Sequence, residues 1–496
     1  MKRRHSGALL VAFRGPANDD LPLYQRICRA VREAVARGAL SPGDRLPSAR
    51  TLAVDLGVAR STVEAALAEL DAEGLVVRKV GAGTFVSRIG AERDAAPRRS
   101  KPVAEVKRSR ARGAAALSER GRGLLEIALQ TAPTQARAFT PCLPGLDVFP
   151  FEQWNRILAR RARTSGAALA GAMDPPGLPM LREAVAAYLG ASRGVRCDPA
   201  QVIVTTSTQQ SLTLSARALV QPGSVVWLED PGYAGARAAF EAARARLVPV
   251  PVDEEGLCVA VGRAAAPEAV LVYVTPSYQY PLGVTMSARR RDELVRWAAE
   301  SGAWILEDDY DCEFRFAVQP LAAMQGSDFA DRVLYAGTFN KILFPSLRIS
   351  YLVVPHDLVE PFVLLRSLFD GPVPALQQAA VADFIAEGHF SAHVRRMRSC
   401  YEERRSALID GLARDLPGRL EVRGSETGLH VAGLLPPGEG DVALSERAAA
   451  RGLDVPPLTR YFLGPPRVSG LVLSYAAATP AEIRSGVRTL ASCFDS

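Results

Sequence analysis

The stretch Tyr335-Ala-Gly-Thr-Phe-Asn-Lys-Ile-Leu-Phe-Pro-Ser-Leu-Arg-Ile-Ser-Tyr351 sets one lysine between two groups suited to holding a phosphate. The apolar run Val333 to Tyr335 reads as a buried strand that ends at Gly337; Thr338 then offers a hydroxyl and Arg348 a fixed positive charge. A lysine amine beside such a cradle can form an imine with an aldehyde. Pyridoxal 5'-phosphate joins an aldehyde and a phosphate on one ring, so Lys341 becomes the candidate anchor for that cofactor. Alone, the pattern favours a solvated loop lysine after a core strand, and the rest of the chain has to decide.

Working outward, apolar runs alternate with helical patterns from Phe139 onward. Candidate strands are Val202 to Thr205, Val225 to Glu229, Leu247 to Pro251, Ala269 to Thr275, Ala303 to Asp308, Val333 to Tyr335 and Ser350 to Val354. Helical segments such as Leu178 to Leu189 and Arg289 to Glu300 separate them. Such alternation implies an α/β domain with a mainly parallel sheet and ligands at the carboxyl ends of its strands. Four groups of the right chemistry fall there. Ser207, Thr208 and Gln209 open a helix whose free N–H groups suit a phosphate. Tyr233, in Asp230-Pro-Gly-Tyr233, offers a ring to stack on a pyridine. The acids at the end of Trp304-Ile-Leu-Glu-Asp-Asp-Tyr-Asp311 offer a carboxylate for the pyridine nitrogen, with Asp308 the choice and Tyr310 placed for the ring's 3-oxygen. Lys341, with Thr338 and Arg348, completes the set.

The amino-terminal part has a different texture. Residues 21 to 37 place Leu23, Ile27, Ala30, Val31, Ala34 and Val35 at helical spacing. Ser48 is a good N-cap for a short second helix ending at Gly57, and a third runs from about Val58 to Gly74 with Val63, Leu67 and Leu70 inward. Two short helices about a tight turn make a helix-turn-helix, in which Arg60, Ser61 and Thr62 face the major groove. Leu75 to Arg78 and Thr84 to Val86 then form a hairpin wing about Gly81 and Gly83, while Arg45 and Arg50 are placed to neutralise phosphates.

Over residues 21 to 87 the chain resembles the GntR family of winged-helix repressors. The matching residues are Leu23-Tyr24-x-x-Ile27, Leu46-Pro-Ser-x-Arg50-x-Leu52-Ala53, Leu56-Gly-Val-x-Arg60-Ser-Thr-Val63 and Gly81-x-Gly83-Thr-Phe-Val86. The resemblance implies contact with double-stranded DNA through Arg45, Ser48, Arg50, Arg60, Ser61, Thr62, Gly81 and Gly83. Ala59 departs from the small hydroxyl residue common before that arginine.

Residues 139 to 496 resemble the fold-type I aminotransferases, and more closely the MocR group of regulators in which such a domain is fused to a GntR domain. Met173-Asp-Pro-x-Gly-Leu-Pro-x-Leu-Arg182, Glu229-Asp-Pro-Gly-Tyr233, Thr275-Pro-Ser-x-Gln-Tyr-Pro-x-Gly283, Glu307-Asp-Asp-Tyr-Asp-x-Glu-Phe314 and Gly337-Thr-Phe-x-Lys341 carry it. It implies Lys341 as the internal aldimine, Asp308 on the ring nitrogen, Tyr310 at the 3-oxygen and Tyr233 stacking. Ser207, Thr208, Gln209, Thr338 and Arg348 would surround the phosphate. It also implies a homodimer with exchanged DNA-binding domains, and Arg460 as the residue holding an effector carboxylate. Asn340 replaces a serine, Tyr278 a histidine and Ser207 a glycine of the usual pattern; Tyr280 and Val472 stand where working aminotransferases carry an asparagine and a carboxylate-binding arginine. The expected function is therefore a transcriptional regulator sensing pyridoxal phosphate or an amine or amino acid joined to it as an external aldimine. The alternative is an aminotransferase with an accessory DNA-binding domain.

Length and composition allow a globular chain of two or three domains: 48% of its 496 residues are hydrophobic and 23% charged. Between residues 88 and 122 eleven basic residues face four acidic ones, an excess equal to the net charge of +7 on the whole chain. Residues 88 to 138 are accordingly expected to be a basic flexible linker. The seven cysteines form no Cys-x-x-Cys pair, and His389 and His393 lack partners at ligand spacing, so neither a disulfide framework nor a metal site is expected. No apolar run suits a membrane helix and the start does not read as a signal peptide, which makes the cytoplasm the expected location.

Overall fold

The computed structural model describes residues 13, 21–79, 81–87, 116–131, 137–172, 174–316, 321–424 and 426–494. The chain divides into two units, Met1–Gly113 and Ala114–Ser496. In the first, helix Leu23–Ala36 buries Ile27, Cys28, Ala30, Val31 and Ala34. Leu23, expected inward, opens the helix and stays exposed. The Ser48 hydroxyl caps helix Ala49–Leu56 by accepting the Thr51 N–H at 3.1 Å, and Gly57 ends it in the left-handed region. Helix Arg60–Ala72 follows, with Val63, Ala66, Leu67 and Leu70 inward and no side-chain cap from Ala59. Strands β1 (Val76–Lys79) and β2 (Gly83–Val86) pair antiparallel, and Arg45 bridges to Phe85 beyond them. This is a winged helix-turn-helix.

The second unit is built on an eight-stranded sheet. Its strands are β3 (Val202–Thr205), β4 (Val225–Asp230), β5 (Arg246–Asp253), β6 (Gly256–Leu257), β7 (Leu271–Val274), β8 (Trp304–Asp309), β9 (Val333–Thr338) and β10 (Ser350–Val353), in the order β3-β10-β9-β8-β7-β4-β5-β6. The pairs from β9 through β5 are parallel, whereas β10 runs antiparallel to both β3 and β9 and β6 antiparallel to β5. Strands β3, β4, β7, β8, β9 and β10 are almost wholly buried, as strands covered on both faces must be. Alternate residues serve opposite faces. Ile203, Leu334 and Leu352 join one apolar cluster, while Val202, Val204, Tyr335, Tyr351 and Val353 join another. A smaller antiparallel sheet of β11 (Glu421–Arg423), β12 (His430–Leu434) and β13 (Gly470–Ser474) lies toward the carboxyl end. The fold is α/β, an aminotransferase-like domain with a mainly parallel central sheet.

The linker expectation needs correction at its carboxyl end. Residues Glu119–Thr131 form a helix with Ile127 buried, because Leu124, Leu125 and Ile127 give this part of the basic segment an apolar side. Residues 88–115, and Met173 of the quoted motif, lie outside the described residues.

Gly337 is the tightest point of the strand that leads to Lys341. It sits opposite Tyr351 in the β9–β10 pair, and a Cβ there would overlap the Tyr351 ring. Gly337→Ala should therefore destabilise the second unit by roughly 1–3 kcal/mol, read as a lower denaturation midpoint in urea; an unchanged midpoint would show that Tyr351 moves freely aside.

Candidate cofactor site and nucleic-acid interface

In the first unit Arg45, Ser48, Arg50, Arg60 and Ser61 are exposed, and Thr62 is half-buried on the first turn of its helix. The Ser48 hydroxyl is held by its capping role, accepting the Thr51 N–H and lying 2.8 Å from Thr51 Oγ1. The Arg45 guanidinium lies over the Phe85 ring at 6.0 Å and against Gly83, where a Cβ would come within 2.8 Å of its Nε. Gly83 has φ 112° and Gly81 φ 73°, so the wing uses backbone shapes that glycine adopts without strain. Arg78, by contrast, is bound to Glu64, which also lies 3.8 Å from Arg60. The structure thus presents Arg45, Arg50 and Arg60 as exposed cations on the helix-turn-helix and wing, a pattern suited to phosphates and base edges.

In the second unit, Ser207, Thr208, Gln209, Tyr233, Asp308, Tyr310, Thr338, Lys341 and Arg348 all line one cavity of about 250 Å³. They come from the carboxyl ends of β3, β4, β8 and β9 and the loop before β10. At one end, Ser207 caps helix Thr208–Leu219, accepting the Gln210 N–H at 3.2 Å and keeping its own proton to donate. Thr338 Oγ1 pairs with Ser350 Oγ at 2.7 Å. Arg348 lines the same cavity from a left-handed backbone position of φ 55°. Hydroxyls, a helix N-terminus and a guanidinium form a donor set for a phosphate.

The five acids from Glu307 to Glu313 are separated by their partners. Glu307 accepts the backbone N–H groups of Met324 and Gln325 at 3.0 Å, Asp309 pairs with Arg193 at 2.7 Å, and Glu313 accepts from the Tyr188 hydroxyl at 2.6 Å. Asp311 is buried, and burial pushes its carboxyl well above the ordinary range. Asp308 lines the cavity with one oxygen accepting from Tyr273 Oη at 2.8 Å and the other, Oδ1, buried without a partner. Burial pushes its carboxyl up to about 6, against the Tyr273 hydrogen bond and the nearby Lys341, which both lower it. A protonated pyridine nitrogen would give Oδ1 the donor it lacks, so the residues fit pyridoxal phosphate.

Lys341 places Nζ 4.0 Å from the centroid of the Tyr310 ring. Burial works against its charge, but the titratable Cys142, Asp311, Tyr233 and Asp308 outweigh burial and raise its pKa above the ordinary value. The Tyr310 hydroxyl donates to the Tyr278 carbonyl at 3.0 Å. Asn340 ties the site together. Its Nδ2 donates to the Thr206 carbonyl at 3.1 Å and to Ser350 Oγ at 3.2 Å, while Oδ1 accepts the Ile349 N–H at 2.9 Å.

Arg460 does not line this cavity. It belongs to a cleft of about 20 Å³ shared with Tyr461, Phe462 and Arg237, and Tyr233 and Tyr273 border both spaces. Sequence reasoning missed Tyr273, Thr275 and Cys142 as cavity residues. Tyr273 was signalled by a hydroxyl in an otherwise apolar strand, which must find a partner when buried; Cys142 had no local signal. Among the described residues no group of three or more His, Cys, Asp or Glu is placed to hold a metal, and no helix is long and apolar enough to cross a membrane.

The family signature for bacterial regulatory proteins of the gntR family matches residues 23–86, and that for aminotransferase class I and II matches residues 147–490. The chain is 39% identical over 475 residues to the probable rhizopine catabolism regulatory protein MocR of Rhizobium meliloti, covering 96% of this chain and 94% of that protein. It is 31% identical over 462 residues to the HTH-type pyridoxine biosynthesis transcriptional regulator PdxR of Corynebacterium glutamicum, covering 92% and 93% respectively. Among solved structures, the α-aminoadipate aminotransferase LysN of Thermus thermophilus, complexed with N-(5'-phosphopyridoxyl)-L-leucine, aligns with a TM-score of 0.68 at 28% identity over 78% of this chain and 96% of that one.

Two outcomes test this geometry. Asp308 titrates near 6 when folded against an ordinary 3.8, so the folded state binds its proton more tightly and the cofactor-free protein loses stability as pH rises from about 4 to 6. Above that window Asp308→Asn should be more stable than wild type by up to about 3 kcal/mol and should lose the advantage at pH 4; a pH-independent difference in urea unfolding would refute the assignment. Asn340→Ala leaves a carbonyl and a backbone N–H without their partner and should cost roughly 1–3 kcal/mol in the same measurement.

Proposed function

The chain belongs to the GntR-type helix-turn-helix transcriptional regulators that carry an aminotransferase class I and II domain, and from that membership we propose that it holds pyridoxal 5'-phosphate on Lys341 and regulates transcription in response to it. The signal is the cofactor itself or an amine or amino acid that condenses with it. The observation that carries this reading is the buried Asp308 Oδ1, unpartnered in the same cavity as Lys341.

The bound cofactor supplies an electrophilic aldehyde carbon and a ring that withdraws electrons. Every other part is the work of the chain. Lys341 would release its ammonium proton to water and offer the amine; Asp308, steadied by Tyr273, would accept the ring N–H. Tyr233 covers the ring, while Ser207, Thr208, Gln209, Thr338 and Arg348 hold the phosphate. Gln209 is fixed by donating to the Gly235 carbonyl at 2.9 Å, which steadies the loop carrying Tyr233. Tyr310 orients Lys341 through its ring face.

The amino-terminal unit binds double-stranded DNA as a GntR-type helix-turn-helix. Arg45 and Arg50 contact phosphates, the first turn of helix Arg60–Ala72 reads bases through Arg60, Ser61 and Thr62, and Gly81 and Gly83 allow close approach of the wing. The working form is a cytoplasmic homodimer with exchanged DNA-binding domains. A ligand changes operator binding by its different affinities for two arrangements of those domains.

Footprinting upstream of the gene's own neighbourhood, with and without pyridoxal phosphate, tests the proposal. Wild type should show a visible absorption band with the cofactor, borohydride should fix that group to Lys341, and the footprint should change. Lys341→Ala should lose the fixation and the cofactor response while keeping the basal footprint. Identical footprints in every condition would sink the sensing role.

A further inference from the structure

Tyr233 borders both the cofactor cavity and the cleft beside it, so the loop that carries it is open to influence from either space. That loop begins at Asp230, the last residue of β4, and passes through Pro231 and Gly232. On one side Gln279 Nε2 donates to the Pro231 carbonyl at 2.8 Å, and Glu229 accepts the Thr275 hydroxyl at 2.6 Å. On the other side the loop is tied to a segment 233 residues further along. Asp230 Oδ1 accepts the Leu463 N–H at 2.6 Å and the Gly464 N–H at 3.4 Å, while the Gly232 N–H donates to the Tyr461 carbonyl at 3.0 Å. Donors thus cross the junction in both directions. Asp230 is buried, and a Cβ on Gly464 would lie 3.2 Å from its Oδ2, so the two segments are in close contact.

The distant segment is itself held. It leaves the short helix Leu458–Tyr461, where the Asp441 carboxylate accepts the Thr459 N–H at 2.9 Å, the Thr459 hydroxyl at 2.7 Å and the Gly470 N–H at 3.1 Å. Gly470 opens β13, so the short helix moves with the smaller sheet. A bond from a buried carboxylate to backbone N–H groups is charge-assisted, and breaking it strips the carboxylate of a partner it needs. Displacement of the helix therefore pulls on Gly232 and on Tyr233, the next residue. Resting on the reading of Tyr233 as the cover of a bound pyridoxal phosphate ring, we propose that Asp230 is a positioning residue. Its carboxylate clasps Leu463 and couples Tyr233 to the helix Leu458–Tyr461, so that a ligand which moves that helix changes how tightly the cofactor is held.

The test titrates the cofactor-free, full-length protein with pyridoxal phosphate and follows the visible absorption of the bound form. Asp230→Ala should weaken binding by about fivefold or more. Asp230→Asn keeps an acceptor oxygen for the Leu463 N–H and should stay within about twofold of wild type. Tyr233→Ala should weaken binding too, and adding Asp230→Ala to it should cost no more than about a further twofold, because a residue that acts through Tyr233 then has nothing to position. In wild type and Asp230→Asn, amide exchange at Leu463 and Gly464 should slow when the cofactor binds. If Asp230→Ala does not fold, Asp230→Asn and the exchange measurement decide alone. Unchanged affinity in Asp230→Ala, markedly weaker binding by Asp230→Asn than by wild type, losses that multiply in the double variant, or exchange that the cofactor leaves unaltered would each overturn the assignment. Failure of the underlying reading looks different: wild type shows no absorption band and no borohydride fixation to Lys341.

Discussion

The second unit depends on where strand β10 lies. Running antiparallel between β3 and β9, it brings Ser350 opposite Thr205 on one side and Thr338 on the other. The Asn340 side chain completes the junction, joining Thr206, Ser350 and Ile349 through both ends of one amide. A helix N-terminus after β3 and a lysine after β9, far apart in sequence, thereby face one cavity. A serine in place of Asn340 has one short hydroxyl and cannot span these partners, which gives this residue a physical reason that its sequence position did not supply.

Around that junction, charge is distributed by elimination. Arg193 neutralises Asp309 and also donates to Ser277, Glu307 is held by two backbone N–H groups, and Glu313 takes the Tyr188 hydroxyl. Asp308 receives only Tyr273; its Oδ1, like Asp309 Oδ1, Asp311 Oδ2 and Glu313 Oε2, is buried without a partner, but of these acids Asp308 is the one that lines the cavity. The buried carboxylate is thus poised to meet a positive partner that the polypeptide does not provide.

The amino-terminal unit shows a comparable division among its basic residues. Glu64 holds Arg78 and also lies 3.8 Å from Arg60, while Arg45 rests over Phe85 and Arg50 is exposed. Basic character alone therefore does not mark a nucleic-acid contact. The shape of the unit adds the missing discrimination, because the bridge from Arg45 to Phe85 ties the turn before the second helix to the wing.

By itself, the sequence determined the features that local chemistry dictates. Helix caps at Ser48 and Gly57, the apolar runs of the buried strands and the positions of Lys341, Asp308 and Tyr233 at strand ends were legible because each depends on neighbours a few residues away. Tertiary structure decided what distant groups do to one another. It drew Glu119–Thr131 out of the basic segment into a helix, turned β10 against its neighbours, engaged the Tyr310 proton on Tyr278, brought Tyr273 to Asp308 and Cys142 to Lys341, and set Arg460 in a separate cleft. Those outcomes rest on long-range packing and on the need of each buried polar atom for a partner, and residue spacing carries neither.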